Sequence, residues 1–284
     1  MDKIKILVAC HKPAKVYSDS VYTPIHVGRA VSKCTDKMQD MIGDDTGDNI
    51  SQLNPYYCEL TAQYWGWKNL DCEYIGLQHY RRYFDFQFTE SNIDKVFSNC
   101  DVVLANPLYL CESIFDFWKS ALVPEDVMLA MALLRRMYPE ETDSIDRFFS
   151  GFKFYACNMF VCRKELFDEF AQWQFDYLQL LRKVIKVSDY MREKRILGFI
   201  AEGLLPYYFF SRNYRIKTMP IVSMIGNNDY LLTSGMKVKL KAFYKSIRSK
   251  HQLILDPNDA MVLALKNEGL LDKIDEIIHE YKSK

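Results

Sequence analysis

The stretch from Asp71 to Asp85, Asp-Cys-Glu-Tyr-Ile-Gly-Leu-Gln-His-Tyr-Arg-Arg-Tyr-Phe-Asp, constrains the fold more than any other part of the chain. Tyr74-Ile75-Gly76-Leu77 is a short apolar run with β preference and reads as a buried strand. It passes directly into His79, Tyr80, Arg81 and Arg82. Two adjacent guanidiniums cannot both be buried without anionic partners, because uncompensated burial of charge is strongly unfavourable. In open α/β sheets, ligands sit outside the carboxyl ends of the strands. His79, Arg81 and Arg82 therefore fall where the phosphates of a ligand would lie. The alternative is that both arginines pair with Asp and Glu in the core.

A chain of 284 residues accommodates one large α/β domain or two smaller ones. Its 37 basic and 37 acidic side chains balance, which argues against general nucleic-acid binding. The 19 Tyr and 18 Phe suit stacking on a carbohydrate or nucleotide, and equally an amphipathic core and rim. None of the 8 cysteines forms a Cys-x-x-Cys pair or has a histidine at zinc-ligand spacing. Cys10, Cys157 and Cys162 lie inside apolar runs, as small buried hydrophobes of a reducing compartment do. Met1 to Lys5 starts a strand directly, with no signal peptide, and no apolar stretch reaches the roughly 20 residues of a membrane span. The expectation is a cytoplasmic protein.

Along the chain, Ile4 to Cys10 is a near-continuous apolar run, the pattern of a first, central strand in a mainly parallel sheet. His11-Lys12-Pro13 follows at its carboxyl end, where Lys12 faces either a nucleotide phosphate or open solvent on a turn. Gly43 to Ser51 is a loop rich in Gly and Asp. Asp44, Asp45, Asp48 and Asn49 could hold a divalent cation there, or cap the next helix; the closing Glu of a calcium loop is missing. Asn54-Pro55 begins a helix expected from about Tyr56 to Lys68.

Beyond the organising strand, Ile93 to Ser98 reads as a short helix and Asp101 to Ala105 as another buried strand. Ser113 to Met137 is largely helical and interrupted at Pro124, and Glu125 and Asp126 sit where a helix dipole favours carboxylates. Phe152 to Cys162 reads as one strand-like run. Asn158 inside it needs a partner, either backbone or a substrate hydroxyl. Lys164 to Val184 and Arg195 to Leu205 are helical. Glu202 stands among apolar neighbours, which suits a general base with a raised pKa or a structural Glu paired to an arginine. Tyr214 to Val222 is the last strand-like piece. Lys237 to Lys250 is basic and amphipathic, fit for an anionic membrane surface or for a solvated face. Asp256 onward reads as a small helical appendage. No Walker-type Gly-x-x-x-x-Gly-Lys-Ser/Thr occurs, which counts against a nucleotide-dependent hydrolase or phosphotransferase.

Several of these motifs occur together in one known family. They are the Gly43–Ser51 loop, Cys58-Glu59-Leu60-Thr61, Tyr64-Trp65-x-Trp67-Lys68-Asn69, Ile75 to Phe84, Asn158-Met159-Phe160 and Gly198 to Glu202. In that order they resemble a domain-of-unknown-function family of bacterial capsular and exopolysaccharide glycosyltransferases, which includes galactofuranosyltransferases. The resemblance covers roughly residues 3 to 220. The chain departs from the family pattern at Gly203, where an Arg is usual, and near Ser120 to Val123, where histidines are missing.

The resemblance implies a GT-A-like nucleotide-sugar-binding α/β fold with a mixed, mainly parallel central sheet flanked by helices. On this reading the chain divides into a catalytic domain over 1–226 and, outside the resemblance, a basic, helical C-terminal appendage over 227–284. The resemblance implies sugar transfer, with inversion, from a UDP-type nucleotide diphosphate donor to a glycan or lipid-linked acceptor. His11 and Lys12 would bind nucleotide; Asp44, Asp45 and Asn49 would line the donor sugar or ribose; His79, Arg81 and Arg82 would hold the diphosphate. Glu202, or else Asp126, would deprotonate the acceptor, which Asn158 and Met159 would help to bind. The two arginines occupy the place of a metal-binding Asp-x-Asp and can neutralise the leaving diphosphate as a cation would. Metal-independent transfer is thus expected, with Asp44 and Asp45 as fallback ligands for Mn or Mg. A peripheral membrane contact through 237–250 would place the protein at the inner face of the membrane. The rival function is a glycan- or nucleotide-binding module without turnover, which Gly203 keeps open.

Overall fold

The computed structural model of the chain describes residues 1–224, 235–248 and 254–283. The expected boundary at 226/227 and residues 249–250 of the basic segment lie outside the described residues. In chain order the first half contains β1 (Asp2–Cys10), β2 (Tyr22–His26), β3 (Ile42–Gly43), α1 (Asn54–Tyr57), α2 (Leu60–Asn69), β4 (Cys72–His79), β5 (Arg82–Phe84), α3 (Ile93–Phe97), β6 (Val102–Ala105), β7 (Leu108–Tyr109), α4 (Ile114–Ala121) and α5 (Pro124–Met137). There follow α6 (Thr142–Phe149), β8 (Lys153–Phe154), β9 (Phe160–Arg163), α7 (Lys164–Val184), α8 (Ile196–Ser211), β10 (Ile216–Met219), β11 (Ile221–Ser223), α9 (Met236–Arg248), α10 (Ala260–Asn267) and α11 (Leu270–Lys282).

Two compact units share the chain. The first is assembled from residues 1–107, 155–173 and 201–233, and the second from 108–154, 174–200 and 234–284. The first unit holds a mixed sheet in the order β10-β6-β9-β4-β1-β2-β3, with β5 and β11 attached beyond β4. β1 pairs in parallel with both β2 and β4, and β9 runs antiparallel between β4 and β6. The expected α/β architecture with a mainly parallel sheet is therefore present. From Ile6 to Cys10 every residue of β1 is buried, which is why its sequence is apolar without alternation. Ile4, Ile6, Val8 and Cys10 pack with Tyr74, Val103 and Val161 in one cluster. On the other face, α2 comes so close that a Cβ added to Gly66 would stand 2.8 Å from Leu7 Cδ1.

Two expected elements are broken, for one reason. The helix read from Tyr56 to Lys68 is two helices, because Cys58 adopts φ 53° and ends α1. The Asn54 side chain donates to the Cys58 carbonyl at 2.7 Å and to Thr61 Oγ1 at 3.1 Å, holding that break. The strand read from Phe152 to Cys162 is likewise interrupted, by Cys157 at φ 83° and Asn158 at φ 46°. These left-handed conformations disfavour ordinary side chains, so neighbouring structure must hold them. The organising strand runs longer than Tyr74–Leu77: it reaches His79 and turns back, so that Arg82 lies opposite His79.

In the second unit α5 is the buried element. Its Val127, Met131, Leu133 and Leu134 are inaccessible, and the Tyr177 hydroxyl donates to the Ala130 carbonyl at 2.7 Å. The C-terminal segment is tied to this helix. Arg136 donates to the Leu271 carbonyl and pairs with Asp275 at 3.4 Å, while Arg135 donates to the Ile254 carbonyl.

Gly76 marks the tightest place in the sheet. A Cβ there would meet the Phe160 carbonyl oxygen and Val161 Cγ2, both at 2.9 Å. Gly76→Ala should lower stability by about 1–3 kcal/mol through overpacking against β9. The urea midpoint should fall with an unchanged slope. Gly235→Ala, which meets nothing within 4 Å, is the control expected to leave the midpoint in place.

Candidate functional site

The parallel pairing of β1 and β4 sets Ala9 beside His79, and the Tyr80 amide donates to the Ala9 carbonyl at 3.2 Å. Everything charged in this part of the sheet lies past that line. From β1 come His11 and Lys12, both exposed. From β4 come Tyr80 and Arg81. The His11 ring stands edge-on to Tyr80 with centroids 5.3 Å apart, and the Arg81 guanidinium lies 5.0 Å from the Tyr80 ring centre. Tyr80 is buried, which raises the pKa of its hydroxyl, while the Arg81 charge opposes that rise. Arg81 is half-buried, and among the described residues no carboxylate pairs with it. Its Nε is buried, with no hydrogen bond among the described residues. Arg82 is half-buried on β5. The structure thus brings His11, Lys12, Arg81 and Arg82 to the carboxyl edge of two adjacent strands, and the edge is cationic.

Alternation along β4 turns His79 to the face on which α2 packs. There Glu59, at the head of α2, approaches His79 Nε2 to 3.9 Å and accepts a 2.8 Å hydrogen bond from Asn158 Nδ2. His79 Nε2 lies 2.6 Å from the Cys157 carbonyl, so the ring carries its hydrogen on Nε2 and donates there. Asn158 is 1% exposed, and the side chains of Glu59 and His79 are 11% and 17% exposed. Of the five non-glycine residues with positive φ among those described, three belong to this group or adjoin it: Cys58, Cys157 and Asn158. Each such conformation costs on the order of 1–3 kcal/mol and persists only where its surroundings impose it. Glu59 was not singled out in the sequence; the signal available was the Cys58-Glu59-Leu60-Thr61 motif. Gln78 was also passed over. It is fully buried on the opposite face, and among the described residues neither amide atom has a hydrogen-bond partner.

The Gly43–Ser51 loop and the Tyr64–Asn69 motif prove to be two halves of one clamp. Asp44 is inaccessible; it accepts from the Gly28 and Arg29 amides at 2.7 and 3.1 Å and from Ser51 Oγ at 2.5 Å. Asp45 pairs with Arg29 at 3.7 Å. Asn49 folds back on its own loop, donating to the Gly47 carbonyl at 2.9 Å and accepting from the Ser51 amide at 3.2 Å. Trp65 Nε1 donates to Thr46 Oγ1 at 2.9 Å, Tyr64 OH to Asp48 at 3.2 Å, and Asn69 Nδ2 to the Asp48 carbonyl at 2.8 Å. Gly47 sits at φ 56°, where a Cβ would come within 2.0 Å of Asn69 Oδ1. Both candidate metal carboxylates are thus engaged by internal partners. Among the described residues no group of three or more His, Cys, Asp or Glu is arranged to hold a metal ion.

The remaining candidates are dispersed. Met159 is 1% exposed and part of the apolar cluster under the sheet. Glu202 is half-buried on α8, in the first unit. Asp126 belongs to the second unit, in the first turn of α5. Burial, then Glu125 and Glu193, pushes its carboxyl up to about 6.

A family model described as "Domain of unknown function (DUF4422)" matches residues 5–213, a span from β1 to the end of α8. The chain belongs to that family. Among solved structures it is similar to the apo structure of WbbM, a bifunctional glycosyltransferase, at 30% sequence identity and a TM-score of 0.71. The match covers 79% of this chain and 46% of WbbM, so the chain spans less than half of that protein's length. The search of curated proteins found no match. With the sheet described above, the likeness shows an α/β fold of the GT-A-like kind.

Asp126 gives a test in pH. Its folded pKa lies above the ordinary carboxylate value of 3.8, so its ionisation opposes folding. The opposition is absent at pH below about 4, grows as pH rises to 6, and is complete above it. Asp126→Asn should match the parent in melting temperature at pH 4 and exceed it at pH 7.5, by up to about 3 kcal/mol of stability. Equal melting temperatures at both pH values would mean that this carboxyl is not destabilised by burial.

Proposed function

We propose that the chain is a glycosyltransferase of the hexosyltransferase type. It would move a sugar, galactofuranose among the candidates, from a UDP-type nucleotide diphosphate to a glycan or lipid-linked acceptor in capsular or exopolysaccharide synthesis. The observation that carries this reading is the cationic carboxyl edge of β1 and β4, on a fold similar at 30% identity to a glycosyltransferase. A departing diphosphate needs positive charge that is in place before the bond breaks. Lys12, Arg81 and Arg82 supply it, and Arg81 rests on Tyr80, which rests on His11. His79 borders the same edge. Inversion requires one displacement, with a base taking the proton of the acceptor hydroxyl.

Two carboxylates of the first unit are candidate bases. Glu202 is the one the sequence suggests. Glu59 is the one the geometry favours, because Asn158 and His79 fix its position. Asn158 then acts by holding the base, and Asp44, Asp45 and Asn49 act by shaping the loop beside the donor. We read the arginines as standing in for a divalent cation, so turnover should survive chelation. Among the described residues no helix is long and apolar enough to cross a membrane. A cytoplasmic site of action is part of the same reading.

The experiment is UDP release from a panel of UDP-sugars, beside a thermal shift with UDP alone. Glu59→Gln should lower turnover by about 10²–10⁴-fold and leave the UDP shift intact. Glu202→Gln should do so only if that residue is the base. Arg81→Ala should abolish the UDP shift. A UDP shift with no turnover on any sugar would turn the reading to a nucleotide-binding module; no shift and no turnover would remove it. Turnover lost in EDTA and restored by manganese would overturn the role given to the arginines.

A further inference from the structure

Helix α9 in the second unit leaves its large apolar residues uncovered. Successive residues rotate by about 100° around a helix, so Met236, Leu240, Phe243 and Tyr244 form one stripe. That stripe faces outward: Met236 is 72% exposed, Leu240 61% and Phe243 63%. The opposite face is the seated one. Ala242 is 1% exposed there, with Val238 half-buried beside it. Lysines fix that seating: Lys245 donates to the Cys111 carbonyl, and Lys239 lies 5.7 Å from the Tyr109 ring centre. A solvated surface helix turns its large apolar residues inward; α9 seats the small Ala242 and Val238 and leaves Met236, Leu240 and Phe243 outside.

The charge is equally one-sided. Met-Lys-Val-Lys-Leu-Lys-Ala-Phe-Tyr-Lys-Ser-Ile-Arg contains four lysines and one arginine and no acidic residue. Lys237 and Lys241 are exposed and border the apolar stripe on one side. Single exposed apolar residues need no explanation, but a continuous stripe edged by cations matches the boundary between lipid headgroups and acyl chains.

We propose that α9 is a membrane-surface helix that lies in the headgroup layer of an anionic bilayer. Met236, Leu240 and Phe243 enter the acyl boundary, and Lys237 and Lys241 meet the lipid phosphates. The surface attaches the protein to its membrane without spanning it. This inference does not rest on the proposed sugar transfer, and its test needs no nucleotide sugar.

The probe is sedimentation of the full chain with vesicles of phosphatidylcholine alone or mixed with phosphatidylglycerol. The mixed vesicles should bind at least about tenfold more tightly, and added salt should weaken that binding because exposed charges are screened. Leu240→Glu with Phe243→Glu should lower binding by about tenfold or more. Both side chains are exposed, so the thermal unfolding of this variant should match the parent. Lys237→Glu with Lys241→Glu should erase the preference for anionic vesicles. Parent protein that stays in the supernatant, or a Leu240/Phe243 variant that sediments as well as the parent, overturns the proposal. If light scattering shows a parent dimer that the Leu240/Phe243 variant makes monomeric, without vesicle binding by either, the stripe joins two copies of this chain and the lipid assignment falls.

Discussion

β1 and β4 lie side by side with both faces covered from Ile6 to Cys10 and from Tyr74 to Gln78, so their polar chemistry has to come out at their ends. That constraint orders the rest of the first unit. The parallel register sets the last residues of the two strands level, at Ala9 and His79. The basic side chains then appear together, His11 and Lys12 from one strand and Arg81 from the other. Pleating decides which side of the sheet each remaining group serves. His79 meets Glu59 and Asn158 on the helix-covered face, and Gln78 is buried in the opposite one.

The second principle of the unit is that its polar motifs serve one another. Asp44 is a buried carboxylate that three donors satisfy, two of them backbone amides around Gly28. A charge without access to water survives only with such compensation. The Gly43–Ser51 loop is fastened to α2 by Trp65, Tyr64 and Asn69. The helix thus carries a fixed loop along one side and Glu59 at its head. Shifting α2 by a fraction of an ångström would disturb the loop and the carboxylate together, so the two sequence motifs form one mechanical part.

Much of this was legible before any coordinates. Apolar runs gave β1, β4 and β6, and amphipathic spacing gave α7 from Lys164 to Val184 to the residue. The Gly- and Asp-rich loop was readable from composition. The breaks at Cys58 and at Cys157-Asn158 were not, since left-handed backbone at residues other than glycine leaves no local signature and depends on distant partners. Glu59 was hidden for that same reason: what singles it out is Asn158, 99 residues further on. The outward stripe of α9 was half visible. Its composition was plain, but which face it buries depends on Tyr109 and Cys111, far away in the sequence.

The interleaving of the two units carries a consequence for biosynthesis. A ribosome delivers the chain in sequence order, yet neither unit is whole until segments late in that order have emerged. β6 acquires its neighbour β10 only after residue 219 has emerged, and the apolar side of α5 waits for the helices beyond residue 260. For most of translation the nascent polypeptide therefore displays unfinished apolar surfaces from both units at once. Such transiently open surfaces are where a chain of this size is most exposed to misassembly.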